Sequence, residues 1–380
     1  MQLHGVRVLS QAGLSAAQTV EVRAGIDASR DATGRILSPG WIDLHAHLRD
    51  PGFPSRETLL TGSRSAAAGG FTHVVAMANT APVTDRPARV AALVARAAAL
   101  PVRVSFVGAF TDALEGEVLT DADGLRAAGA IALSDDGRHS MDRPTLTRGL
   151  RLAAAAGLPV LVHAQTESLG HDPSAEISAT REVCLALTDA PGARLHIQHV
   201  STRGAVDVIR EAKASGLLVT AEATPHHLSL TVADVSGPGT DARVSPPLRT
   251  ADDRDAIVEG VIDGVIDIIA TDHAPHDAAA KDAGANGYHG FETAAGVLLG
   301  LRLPWPVIYR ALVARPREIL GIASADDWTL IDPVEEWVVD PHEFYSRGKN
   351  SPFAGRRLKG RVVMTVCRGR VIHESEVPVG

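Results

Sequence analysis

The chain has 380 residues, 45% hydrophobic and 22% charged, with a formal net charge of −8. Such a length accommodates a barrel of about 250 residues with a small companion domain, and such a composition argues against disorder. The acidic balance argues against a nucleic acid or an anionic membrane surface as partner. The two cysteines, Cys184 and Cys367, lie far apart without metal-type spacing, as suits a reducing compartment. No basic region followed by an apolar core opens the chain, and no run of about 20 apolar residues follows. A soluble, cytoplasmic protein is expected.

Residues 1–38 carry short alternating runs, Val6–Ser10 and Thr19–Val22, that read as strands. From residue 40 onward, apolar runs alternate with Ala/Leu/Arg-rich stretches of helical period, the pattern of strand–helix units. Eight strands are expected, at Trp41–Leu48, His73–Asn79, Val102–Phe110, Ala130–Asp136, Pro159–Ala164, Arg194–Val200, Leu218–Thr224 and Ile266–Asp272. Helices are expected between them, among others at Arg86–Leu100, Arg143–Ala156, Ser174–Ala190 and Thr202–Ser215. Gly69-Gly70, Gly157 and Gly216 stand where helix stops belong. Residues 328–380 return to Val/Thr-rich strands such as Arg361–Cys367 and Arg370–His373. The expectation is a TIM-type (β/α)8 barrel over residues 39–324, beside a small β-sandwich domain formed by both termini, 1–38 and 325–380. A doubly wound open sheet is the second choice.

His45 and His47 end the first barrel strand and, two residues apart, project to one face. Neutral imidazole is the commonest metal-ligating side chain, so the pair can converge on one ion. Arg49 continues the same alternation. Alone, such a pair more often belongs to a core. In a parallel barrel, however, chemistry collects at the C-terminal strand ends, and those ends carry a consistent set. Strand two ends at Asn79, strand four at Asp135-Asp136-Gly137, strand five at His163, strand six at His196-Ile197-Gln198-His199 and strand eight at Asp272-His273-Ala274-Pro275-His276.

Each has a plainer reading. The Asp-Asp-Gly run could be a turn, and His163 a buried histidine bonded to backbone. Only one register among His196, Gln198 and His199 can face the mouth. His226 and His227 suit structural or supporting roles, and His73, at the opposite end of its strand, receives no function. The joint pattern decides. Four imidazoles and two carboxylates suit one or two zinc ions, with Asp272 placed to act as general base. No lysine falls at a strand end, since the chain has only Lys213, Lys281, Lys349 and Lys359, so a carboxylate must bridge. Spacing does not choose between Asp135 and Asp136.

The stretches GWIDLHAHLRDPG, GGFTHVVAMANTAPVTD, SDDGRHSMD, LHIQHVST, VTAEATPHHLSLT, PPLRTADDR, IATDHAPH and NSPFAGRRLKGRVV follow in order from residue 39 on. Through them the chain resembles dihydroorotases of the amidohydrolase superfamily, the branch with an aspartate where others carry a carbamylated lysine. By position, the resemblance implies His45 and His47 as ligands of one Zn2+ and His163 and His199 as ligands of a second. It implies Asp136 as the bridge, and Asp272 as both ligand and catalytic acid/base. Arg49, Asn79 and His276 are implied to hold the substrate carboxylate, with His47, Ser245, Asn286 and Gly287 also at the substrate. The implied reaction is the reversible cyclisation of N-carbamoyl-L-aspartate to L-dihydroorotate plus water, in pyrimidine (UMP) biosynthesis. In hydrolysis, a metal-activated hydroxide attacks the ring amide, and Asp272 passes its proton to the departing nitrogen.

The chain departs from the family pattern in three places. After His163 the family continues Cys-Glu-Asp, where Ala164-Gln165-Thr166 stands here, and the helical region that follows is shortened. Before Pro246-Pro247, Ser245 replaces a substrate-binding asparagine and reaches less far. The family's Gly-Leu-Glu segment appears as Gly290-Phe291-Glu292, preceded by Asn286-Gly287-Tyr288. Two competing functions share parts of the pattern. A hydantoinase- or allantoinase-like cyclic amidohydrolase typically bridges with the modified lysine and has less use for Arg49 and Asn79. A non-catalytic dihydroorotase-like subunit scaffolding aspartate transcarbamoylase is expected to have lost ligands that this chain keeps. As partners beyond the small anionic substrate, a homo-oligomer and aspartate transcarbamoylase stay open. The Ala/Asp/Gly-rich segment Asp277–Asn286 is the natural closing loop.

Overall fold

The computed structural model describes residues 1–138, 142–235, 241–323 and 325–375. His139, Ser140 and Met141 of the expected strand-four motif, and residues 376–380 of the expected terminal domain, lie outside the described residues.

Eight largely buried strands run parallel in chain order: β1 (Trp41–Ala46), β2 (Phe71–Ala76), β3 (Arg103–Gly108), β4 (Ala130–Ser134), β5 (Val160–Val162), β6 (Leu195–Ile197), β7 (Val219–Ala223) and β8 (Ile268–Ile269). Near-continuous apolar runs are what parallel strands covered on both faces require. The two ends of the path meet through a parallel bridge between Ala46 and His273. There His47 N donates to His273 O at 2.7 Å, and Asp43 accepts from Thr271 N at 3.2 Å. This closure selects the barrel over the open sheet.

The expected helices occupy Pro87–Ala97, Arg143–Ala155, Pro173–Thr188 and Arg203–Ala214. Three of them start at a side-chain cap, with Asp142, Asp172 and Thr202 each accepting a first-turn amide. Past the ends, Gly157 and Gly216 take φ of 71° and 84°, a left-handed conformation that glycine adopts freely. Val75, Val107, Ala132, Leu161 and Ile268 join five strands in one apolar cluster. A larger cluster ties strands to helices through Leu93, Leu150, Val183 and Ile209.

The terminal strands form a separate sheet. Its hub, Gln2–Ser10, pairs antiparallel with Gly13–Leu14 and Gln18–Glu21, and parallel with Ser29–Asp31 and Ile36–Pro39. From Ile36–Pro39 the order continues antiparallel through Trp328–Val338, Arg357–Cys367 and Arg370–Glu374. Leu3, Val6, Val22, Leu37, Leu330 and Val366 give it a core of its own. Between two of these strands, residues 341–355 leave the sheet for the barrel mouth. Ser346 Oγ donates to Glu57 at 2.6 Å and Gly348 N to Arg56 O at 3.0 Å. Among the described residues no helix is long and apolar enough to cross a membrane.

Candidate functional site

β1 brings the rings of His45 and His47 within 5.2 Å of each other. His45 is held from behind, its Nδ1 2.5 Å from Glu222 Oε1 on β7. Its backbone N donates to Asp43 at 2.9 Å. Nδ1 therefore donates its proton to the Glu222 carboxylate, which turns Nε2 toward the mouth. His47 is oriented likewise by Asn79, whose Oδ1 lies 2.9 Å from Nδ1. Asp136 faces both rings, Oδ1 at 3.3 Å from His45 Nε2 and Oδ2 at 3.3 Å from His47 Nε2. The same Oδ1 lies 3.6 Å from His199 Nε2 and 3.9 Å from His163 Nδ1. Asp272 Oδ1 is 3.1 Å from His47 Nε2 and 3.6 Å from His45 Nε2. Two possible ligand triads thus share Asp136: one with His45 and His47, one with His163 and His199. All six residues expected as ligands meet at one place.

The hydrogen bonds make the choices that spacing left open. Asp135 accepts from Phe110 N at 2.8 Å, Thr111 N at 2.9 Å and the Thr111 hydroxyl, tying two loops together. Asp136 is left to the mouth. On β6, His196 turns to Thr220 Oγ1 at 2.9 Å and Glu222 Oε2 at 3.1 Å, so His199 takes the mouth. His226 and His227 lie 3.2 Å from the Tyr288 hydroxyl and 3.0 Å from the Pro246 carbonyl. His73 bonds Ser105 away from the site. Arg49, His199 and Asp272 all adopt left-handed φ, at 55°, 33° and 48°, where non-glycine residues carry about 1–3 kcal/mol of strain. Glu222 was missed at the sequence level, although an acidic residue inside a buried apolar strand signals an internal partner.

Burial opposes charge on all these groups, and the neighbours decide each outcome. Burial raises Asp136 and Asp272, but the imidazoles around them outweigh it and hold both carboxyls low. Glu222, between His45 and His196, falls to about 2 despite its burial. His45 rises because Asp136, Glu222 and Asp272 overcome its burial. His163, buried beside His199, falls to about 4. Burial takes Asp43 up to about 7.

A metal fits this arrangement. Asp136 Oδ1 is buried and accepts no hydrogen bond among the described residues, which an ionised oxygen tolerates only beside a cation. His163 Nδ1 and His199 Nε2 face each other at 2.8 Å, a gap that a shared proton or a metal must bridge. Imidazole and carboxylate donors of this kind suit zinc. Lys281 does not compete as a bridge. It is buried and donates to the carbonyls of Arg243 at 3.3 Å, Ala285 at 3.1 Å and Gly287 at 3.1 Å.

Beside the cluster lies a cavity of about 240 Å³, lined by all seven residues expected at the substrate: His47, Arg49, Asn79, Ser245, His276, Asn286 and Gly287. His276 Nε2 is 2.7 Å from Asn286 O and 3.2 Å from Arg49 Nη2. Burial and the Arg49 charge keep His276 neutral, down to about 3. Its Nε2 proton goes to Asn286 O, so Arg49 keeps donors for an anion. Burial lowers Arg49 only to about 10, and the fork stays charged at neutral pH. Gly287 must be glycine. Its φ is 113°, and a Cβ would meet Ala274 Cβ at 2.6 Å.

Three comparisons place the chain among known proteins. A family model described as dihydro-orotase-like matches residues 34–176. A dihydroorotase of Anaeromyxobacter dehalogenans (strain 2CP-C) is 42% identical, with 98% of this chain and 98% of the relative covered. One of Pelotomaculum thermopropionicum is 41% identical, covering 91% and 89%. Among solved structures, the L-hydantoinase (dihydropyrimidinase) of Arthrobacter aurescens superposes with a TM-score of 0.87 over 98% of this chain and 96% of its own. At 24% identity, that likeness is one of fold.

Proposed function

The chain belongs to the dihydroorotase family, and from that premise we infer that it catalyses the reversible cyclisation of N-carbamoyl-L-aspartate to L-dihydroorotate and water, a step of pyrimidine synthesis. It is an enzyme acting on a cyclic amide. The observation that carries the reading is one guanidinium, Arg49, on the wall of a small cavity that also contains a buried imidazole–carboxylate cluster. Both reactants carry carboxylates that an arginine fork pairs with. Hydantoin and allantoin offer none, and a non-catalytic scaffold has no need of the cluster.

Zinc is the metal this donor set suits: His45, His47 and Asp272 would hold one ion, His163 and His199 a second, with Asp136 between them. When bound, zinc supplies a Lewis acid for the amide carbonyl and brings the pKa of a water to about 7. The chain's own residues do the rest. Asp272, held ionised, takes the proton of the attacking water. It delivers that proton to the ring nitrogen as the C–N bond breaks, and the reverse transfer serves ring closure. Arg49 and Asn79 hold the substrate carboxylate, His276 lies against the Arg49 fork at 3.2 Å, and Ser245, Asn286 and Gly287 line the cavity around them. Burial of the cluster keeps bulk water away and strengthens each of these contacts.

The test is turnover of dihydroorotate beside hydantoin and allantoin, with metal content measured on the same sample. Dihydroorotate should be the substrate turned over and zinc the metal found; full activity in a metal-free protein, or preference for hydantoin, would overturn the reading. Asp272→Asn should lower kcat by a factor of at least about 10² with zinc retained. A near-normal rate would remove Asp272 as the base.

A further inference from the structure

We propose that the two metal positions differ in affinity, the one at His45 and His47 binding zinc tightly and the one at His163 and His199 weakly. The inference rests on the metal-dependent function argued above and concerns what stands behind each ligand.

At the first position, the Glu222 carboxylate lies 2.5 Å from His45 Nδ1. Glu222 is itself fixed, by His196 Nε2 at 3.1 Å and by His199 N at 3.2 Å. A carboxylate behind a ligating imidazole sets its tautomer and raises its basicity. Asn79 orients His47, and two carboxylates, Asp136 and Asp272, face the pair.

The second position is poorer on every count. His163 Nε2 lies 3.0 Å from Gln165 Oε1, a neutral amide that is tethered in turn to Gly170 O at 2.8 Å. That contact still directs Nδ1 to the site, but without a charge behind it. His199 Nδ1 is buried and has no hydrogen-bond partner among the described residues. Among the described residues, only the shared Asp136 brings negative charge to this pair within 4 Å. Outer partners of metal ligands are worth roughly 10–100-fold in affinity, and hydrogen bonds to charged groups are about twice as strong as neutral ones. The asymmetry therefore amounts to a gap of at least about tenfold.

The test titrates the metal-stripped full chain with zinc alone, against a chromophoric chelator. Two steps separated by tenfold or more are expected. A single step of one zinc per chain, joined by a second step in Gln165→Glu, supports the proposal equally. Gln165→Glu should tighten the second step by roughly tenfold or more and leave the first unmoved. Glu222→Gln should loosen the first by roughly 10–100-fold; if that variant folds poorly, the Gln165→Glu titration decides. Two equal steps, or a second step indifferent to Gln165→Glu, would overturn the proposal. A chain that binds no zinc would instead overturn the function on which it rests.

Discussion

Arg49 enters the cavity from a left-handed backbone, which costs energy that an ordinary surface arginine would not spend. What that strain achieves is orientation: a guanidinium whose nearest nitrogen neighbour, His276, is neutral and already donating elsewhere. Lysine keeps the charge but loses the planar fork. Arg49→Lys should therefore raise KM for dihydroorotate about tenfold or more, corresponding to roughly 1.4 kcal/mol or above, with a smaller change in kcat. Steady-state kinetics checks this, and an unchanged KM would remove Arg49 as the carboxylate anchor. Arg49 was legible in the sequence because it extends the alternation of His45 and His47. Glu222 and Asp43 were not. Their partners, His45, His196 and Thr271, lie on other strands, and one-dimensional spacing carries no information about which strands become neighbours.

Among elements, the barrel strands are shorter than the apolar runs that announce them. Pro159–Ala164 was expected, and β5 pairs only over Val160–Val162; β8 pairs over two residues. The difference is physical, because the residues just past the ladder are the ones that turn into the mouth. His199 and Asp272 make that turn with positive φ. A second difference lies in residues 341–355. Patterning gives them to the terminal sheet, yet they stand behind the substrate cavity and bond to two residues that line it. Asn350 Oδ1 accepts from His276 N at 3.1 Å, and its Nδ2 donates to Gly287 O at 2.8 Å, joining two parts of the cavity lining. Asn350→Ala leaves the buried His276 amide unpaired. It should cost about 1–3 kcal/mol of stability and raise KM several-fold more than it lowers kcat. Denaturant unfolding and kinetics on the same variant test both effects; an unaltered KM would confine Asn350 to a structural role.

For the whole molecule, the barrel and the terminal sheet are joined across buried polar groups as well as apolar ones. Glu292, on the helix Phe291–Gly300, accepts from Tyr345 N at 2.9 Å and is raised by burial to about 8. Between its ordinary value of 4.5 and about 8 the folded chain holds a proton that the unfolded chain has lost. This stabilisation is complete below the lower value and fades as pH rises through the upper one, by at most about 1.4 kcal/mol per pH unit. Glu292→Gln should flatten that decline, as unfolding at pH 5, 7 and 9 would show; parallel curves for the two proteins would clear Glu292 as its source. Periodicity announced eight strand–helix units and strands at both termini, and so placed ligand-type residues at the same end of five strands, because alternation and helical period are local properties of the chain. The family motifs then singled out Asp136. Three choices belong to the tertiary structure: which residue of each strand end faces the mouth, which carboxylate stands behind which imidazole, and which distant segment supports the cavity lining. Each depends on contacts between residues far apart in sequence, such as His47 and Asp272, 225 positions apart, and only closure of the barrel brings such pairs within reach.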